Sequence, residues 1–74
     1  MAEYKGYFIF GKALKVYTDS LYWFSQGDVY TNERAGSVLV ARLGGVIFES
    51  EQAAKAHGLE LCRQWIDKKP IEKA

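Results

Sequence analysis

The sequence predicts a single α+β domain in which an antiparallel sheet of three main strands, with room for a short fourth, packs one face on one C-terminal helix. Three observations carry this expectation. Aromatic and β-branched residues dominate the first half of the chain, Gly44-Gly45 divides two apolar β-type runs, and residues 51–68 place apolar residues at helical spacing behind a serine.

From Tyr4 to Tyr17 the residue types predict a long strand, interrupted by Gly6 and by Gly11, where a bulge or bend is expected. The even positions Phe8, Phe10, Leu14 and Val16 are apolar and predict the core face. The odd positions mix Lys5, Tyr7, Ile9, Ala13, Lys15 and Tyr17 and predict a half-covered surface. Thr18-Asp19-Ser20 reads as a turn. Tyr22, Trp23 and Phe24 form an apolar knot before Ser25-Gln26-Gly27-Asp28. They read as a loop or short helical turn folded over a sheet edge, because an aromatic triplet left in water invites aggregation. Asp28 to Thr31 supplies the short additional strand, and Asn32 to Gly36 a turn.

Ser37 to Leu43 is the clearest central strand, with apolar residues on both faces and neither proline nor glycine. Arg42 shares the face of Val38 and Val40. Gly44-Gly45 suits a tight hairpin, with Val46 to Phe48 returning as the antiparallel neighbour. Ser50 is a good N-cap, and Glu49 and Glu51 place negative charge near the positive end of the helix dipole. Ala53 stands where a reciprocal capping box would need a glutamate.

Within the helix, Ala54, Gly58, Leu61 and Trp65 fall in one narrow arc that should face the sheet. A mid-helix glycine costs about 1 kcal/mol against alanine, which close approach of helix and strand would explain, with a sheet aromatic packed there. Leu59, Cys62 and Ile66 widen the stripe to one side, to cover the Tyr22–Phe24 segment or to meet another molecule. Lys68 and Lys69 suit the negative helix end, Pro70 stops the helix, and a frayed tail is expected from about residue 70. The expected core is Phe8, Phe10, Leu14, Val16, Leu39, Ala41, Phe48, Ala54, Leu61 and Trp65.

At 74 residues the chain holds one core, and a domain of this size buries only about 60–65% of its unfolded surface. Apolar residues at 49% and aromatics at 15% exclude a disordered chain. A net charge of +1 neither requires nor excludes a polyanionic partner. The single cysteine, Cys62, has no partner for a disulfide and reads as a buried small hydrophobe, which fits a reducing, cytoplasmic setting. No apolar run approaches the roughly 20 residues of a membrane span. The first residues lack a signal-peptide pattern, so no membrane association is expected.

Catalytic groups are sparse. His57 is the only histidine and reads as a partly buried helix residue hydrogen-bonded to a carbonyl or carboxylate rather than as a base. His57 and Cys62 alone do not make a zinc site, Asp19 and Asp28 read as turn aspartates, and Gly44-Gly45 lacks the spacing of a phosphate loop. Neither an enzymatic activity nor a cofactor or metal is expected.

Two binding readings remain. In the first, the chain is an interaction module for a protein partner or a second copy of itself, with Tyr22, Trp23, Phe24, Leu59 and Ile66 at the interface. In the second, the free sheet face lies against duplex DNA. Lys5, Lys15 and Arg42 then make the contacts, Lys12 and Arg34 lie nearby, and Tyr7 or Tyr17 can stack. The low net charge favours the first reading.

Tyr4-Lys-Gly-Tyr-Phe-Ile9, Trp23, Ile47-Phe-Glu-Ser50, Ala53-Ala54 and Gly58-Leu-Glu-Leu-Cys-Arg-Gln-Trp-Ile-Asp67 together resemble a group of short uncharacterised bacterial proteins. The resemblance spans nearly the whole chain and implies a bacterial source and a compact α+β fold. It assigns no catalytic residue. The order of three strands and a helix opened by Phe48-Glu-Ser50 and Ala53-Ala54 also resembles the arm-type DNA-binding domains at the N-termini of phage integrases. Those domains commonly carry Arg and Lys along the second and third strands, where this chain offers Arg42 among apolar residues.

Overall fold

The computed structural model describes residues 2–18, 21–31 and 36–69. The expected turn residues Asp19 and Ser20, the turn residues 32–35 with Arg34, and the expected tail from Pro70 lie outside the described residues.

Among the described residues four antiparallel strands run in chain order across one sheet: β1 (Ala2–Tyr4), β2 (Tyr7–Lys15), β3 (Trp23–Thr31) and β4 (Leu39–Phe48). One helix among the described residues, α1 (Glu51–Asp67), follows and packs mainly over β2 and β3. The α+β class with an antiparallel sheet and a C-terminal helix is therefore as the sequence predicts, in its four-stranded form.

The expected first strand is a hairpin. Tyr4 pairs with Tyr7 across a two-residue turn, and Lys5 (φ 49°) and Gly6 (φ 88°) both adopt the left-handed backbone that matches the twist of a tight hairpin. Gly11 makes no bend; it sits in regular register opposite Gly27.

The aromatic triplet is not a loop. Trp23 and Phe24 open β3, which runs unbroken through Gln26, Gly27 and Asp28 to Thr31. Likewise Gly44-Gly45 is not a hairpin, since β4 continues through it to Phe48. The glycines lie beside one of two register shifts against β3, between Phe24 and Gln26, and Gly45 has φ +134°. The second shift falls between Val29 and Tyr30.

The helix begins as expected. The Ser50 side chain accepts a hydrogen bond from the Ala53 amide at 3.2 Å, and Lys68 forms the C-cap. Lys69 lies over the Trp65 ring at 5.0 Å and the Tyr7 ring at 5.6 Å.

The core lies on the other face of β2 from the one expected. Ile9 and Val29, 1% and 0% exposed, pack with Cys62 and Ile66, and Tyr7 meets Trp65 edge to face at 6.2 Å. Of the expected core residues, Ala54 is fully buried, and Ala41 and Trp65 pack against the core. Phe8, Phe10, Val16, Phe48 and Leu61 are half-buried, while Leu14 and Leu39 are exposed.

Three glycines account for the inversion. Gly11 and Gly27 face each other across β2 and β3, and Gly58 of the helix sits on them. A Cβ at Gly11 would collide with the Lys55 carbonyl, one at Gly27 with the Gly58 carbonyl, and one at Gly58 with the Gln26 carbonyl. Helix backbone thus rests directly on sheet backbone. The close approach expected at Gly58 is present, with sheet glycines rather than a sheet aromatic beneath it. The seam turns the helix so that its buried line is Ala54, Gly58, Cys62 and Ile66, and Leu61 and Trp65 become its flank.

Candidate interaction surface

Side chains alternate across a strand, so turning Ile9, Gly11, Gly27 and Val29 toward the helix turns Phe8, Phe10, Lys12 and Leu14 of β2 away from it. The same alternation sends Phe24, Gln26, Asp28 and Tyr30 of β3 to that second face. Among the described residues no helix or strand packs over it. It is largely apolar: Phe10 and Tyr30 meet edge to face at 5.4 Å, and Leu14 (46% exposed), Phe24 and Ile47 form a cross-strand row.

An ion cluster stands at its centre. Register puts Phe10, Asp28 and Arg42 side by side, and Lys12 reaches Asp28 diagonally from β2. The Asp28 carboxylate accepts hydrogen bonds from Lys12 Nζ at 2.7 Å, Arg42 Nε at 3.0 Å, Arg42 Nη2 at 3.4 Å and Gln26 Nε2 at 3.2 Å. Asp28 is 0% exposed, whereas the side chains of Lys12 and Arg42 are 43% and 53% exposed. The carboxylate is therefore covered chiefly by its own partners, and the partners still meet water.

Burial pushes the Asp28 carboxyl up, but hydrogen bonds from Lys12 and Arg42, reinforced by their charges, outweigh burial and hold it below the usual carboxylate range. Reciprocally, the hydrogen bond and charge of Asp28 raise the Arg42 guanidinium. Two cations share one anion at the centre of this face, and a second carboxylate, Glu3 of β1, stands on the same face beside Phe8. Beside it lies a depression of ≈ 320 Å³ lined by Phe8, Phe10, Lys12, Tyr30 and Ser37.

The three cations expected to contact nucleic acid are not brought together. Lys5, in the β1–β2 turn, pairs with Asp67 at 2.7 Å, and the Tyr4 hydroxyl donates to both oxygens of that carboxylate at 3.0 Å. The hydrogen bonds from Lys5 and then Tyr4 hold the Asp67 carboxyl below its usual range. Lys15 lies at the far end of β2 on the helix-facing side, over the Trp23 ring at 5.4 Å. Arg42 alone stands on the open face, held by Asp28.

The expected interface residues are also divided. Tyr22 is exposed ahead of β3, Trp23 and Phe24 point to opposite faces of it, and Leu59 is half-buried against the core. Ile66 faces Ile9 and Val29 at 7% exposure, so its apolar surface is covered within the chain, because the glycine seam rotates it inward. Comparison with known proteins adds no neighbour. No family model, curated protein or solved structure matches this chain.

His57 stacks at a tilt on Phe48, with ring centroids 5.2 Å apart. Its Nε2 is buried and has no hydrogen-bond partner among the described residues, in contrast to the carbonyl or carboxylate partner expected. The Cys62 thiol is buried as expected, lies 3.5 Å from the Asp28 carbonyl, and is pushed up by that burial. Among the described residues no three His, Cys, Asp or Glu side chains gather to hold a metal, and no helix is long and apolar enough to cross a membrane.

Of this face, the sequence assigned Phe8, Phe10 and Leu14 to the core and did not single out Gln26, Asp28, Tyr30 or Ile47 as surface. A signal was present: Gln26, Asp28 and Tyr30 place a polar group at every second position, the mark of a strand with one side away from the core.

Proposed function

We propose that this protein is a non-catalytic interaction module whose working surface is the sheet face opposite the helix. One observation carries the reading: Phe8, Phe10, Leu14, Phe24, Tyr30 and Ile47 form an apolar surface that the helix does not cover. A small domain has little reason to keep so much aromatic area on its uncovered side unless a partner covers it. The central charges supply orientation, since a buried or half-buried ion cluster within an apolar surface favours one docking geometry over others.

Self-association is a form of the same reading. β4 is one of the two edge strands, and Val38, Val40 and Val46 on or beside it are exposed, so a second copy is among the partners that fit. The nucleic-acid alternative has less support, because Lys5 sits in the β1–β2 turn against Asp67 and Lys15 lies on the other side of the sheet from Arg42, so the three cations do not converge. A cytoplasmic setting, with its reducing conditions, belongs to the proposal and agrees with a lone buried thiol.

Site-specific photo-cross-linking tests the reading. A benzophenone side chain at Phe10 should give a discrete protein adduct in cells, while the same group at Glu60 on the exposed helix face should not. Equal labelling at both positions, or none at Phe10, would overturn the assignment of the working surface.

A further inference from the structure

Resting on the module reading, the open face also indicates the chemistry of what it binds. The depression between Phe8, Phe10 and Tyr30 is ≈ 320 Å³, the lower end of the size range of small binding pockets and enough for one large apolar side chain. Lys12 stands on its rim. Arg42 stands next to Lys12 from β4, the two cations meeting on the Asp28 carboxylate.

These two cations divide a single carboxylate between them. Asp28 takes one contact from Lys12 and two from Arg42, and both cationic side chains remain about half exposed. A guanidinium has five N–H donors and an ammonium three, so donors remain on both after Asp28 is satisfied. The site thus pairs an apolar hollow with an under-neutralised, accessible pair of cations that Asp28 holds in place.

We infer that the open face binds an acidic apolar protein segment, in which a large apolar side chain fills the hollow and a neighbouring Asp or Glu carboxylate accepts hydrogen bonds from Lys12 and Arg42. Charge complementarity selects this occupant over a second copy docked face to face, since two such faces would set like charges against each other at their centres. It also selects a segment with one or two carboxylates over a polyanion. The three cations Lys5, Lys15 and Arg42 do not form a track along which a phosphate backbone could run.

The test is an amide-correlation NMR titration of the full chain with an acetylated, amidated octapeptide, Gly-Ser-Glu-Phe-Leu-Glu-Ser-Gly. Expected are saturable shifts centred on Phe8, Phe10, Lys12 and Tyr30 that weaken with salt. Binding should be about tenfold weaker for the peptide with both glutamates replaced by glutamine, as for loss of one charge-assisted contact. Lys12→Ala should weaken the acidic peptide and leave the glutamine peptide unchanged, and Lys55→Ala on the helix should change neither.

Equal affinity for the two peptides would overturn the inferred carboxylate contact, and so would shifts centred elsewhere. A single-stranded or duplex oligonucleotide binding this face more tightly than the peptide would overturn the choice of occupant, as would concentration-dependent self-association that blocks the face. If no peptide binds while the Phe10 cross-link persists, this inference fails and the module reading stands. If both fail, the open face is not a binding surface.

Discussion

The two faces of the sheet are built on opposite plans. On the helix side the centre is bare: Gly11 and Gly27 carry no side chain, and Ile9 and Val29 flank them. On the far side the centre is filled by Phe10, Asp28, Lys12 and Arg42. Aromatic residues of the sheet stand on both faces, Phe8, Phe10, Phe24 and Tyr30 on the uncovered one and Tyr4, Tyr7, Trp23 and Phe48 on the helix side. Burial here follows fit and charge rather than bulk, because a helix seated over Lys12, Asp28 and Arg42 would have to strip water from half-exposed cations. At the glycine centre of the other face it meets backbone, with Tyr7 and Phe48 packed against Trp65 and His57 to either side.

The sharpest way to break this comparison is to truncate matched residues on the two faces. Ile9→Ala should cost about 2–5 kcal/mol, as for a fully buried isoleucine. Leu14→Ala should cost less than about 1 kcal/mol, since Leu14 is nearly half exposed. Urea melts of both variants measure the difference, and comparable losses would mean that the faces are not distinct.

Next in size is the seam. Gly27→Ala should destabilise by about 1–3 kcal/mol through overpacking, with the Gly58 carbonyl and the Cys62 sulfur in the way. Gly58→Ala sharpens the point through its sign. Alanine improves helix propensity by about 1 kcal/mol, yet here the variant should be less stable, because the new methyl meets the Gln26 carbonyl. A stabilised Gly58→Ala protein would separate the helix from the sheet.

The ion cluster gives an effect of similar or smaller size and a pH signature. Asp28→Asn should cost about 1–3 kcal/mol at neutral pH, less than a fully buried pair would lose, because Lys12 and Arg42 return to water. A carboxyl held below its usual range stabilises the fold above its unfolded pKa, and that contribution disappears as pH falls through the folded value. The Asp28 contribution is therefore full at neutral pH and lost below about pH 4. Thermal melts from neutral to acid pH should show a shallower acid decline for Asp28→Asn than for wild type, and parallel curves would remove Asp28 from the acid response. The smallest change belongs to Lys5→Ala. Its ion pair with Asp67 is exposed, and its loss should be screened out by salt.

Much of the secondary structure could be read locally. The Ser50 cap, the helix to Asp67, the close approach at Gly58 and the buried Cys62 all follow from near neighbours in sequence. The failures share one cause. Gly27 and Asp28 look like turn residues in isolation, and only the tertiary structure explains them as strand residues: Gly27 lies under Gly58, and Asp28 lies between Lys12 and Arg42, 16 and 14 residues away in the chain. Gly44-Gly45 looks like a hairpin until the register shift beside Phe24 gives it another role.

The choice of face on β2 had the same origin. Lys12 interrupts the apolar even positions, and its significance appears only once a carboxylate is placed opposite. The candidate surface was correspondingly less legible than the fold. Lys5, Lys15 and Arg42 are alike in sequence, but their partners Asp67, Trp23 and Asp28 set them at different ends and on different sides of the sheet.

Which face the helix covers underlies both functional proposals, and a nuclear Overhauser spectrum of the labelled protein reads it directly. Contacts from the Ile66 side chain to Ile9 and Val29, and from Gly58 Hα to Gly27, are the expected result, with no helix contacts from the rings of Phe8 and Phe10. Contacts from those two rings to Ala54, Leu61 or Trp65 would contradict it, placing the aromatic face in the core and leaving no open apolar surface for a partner.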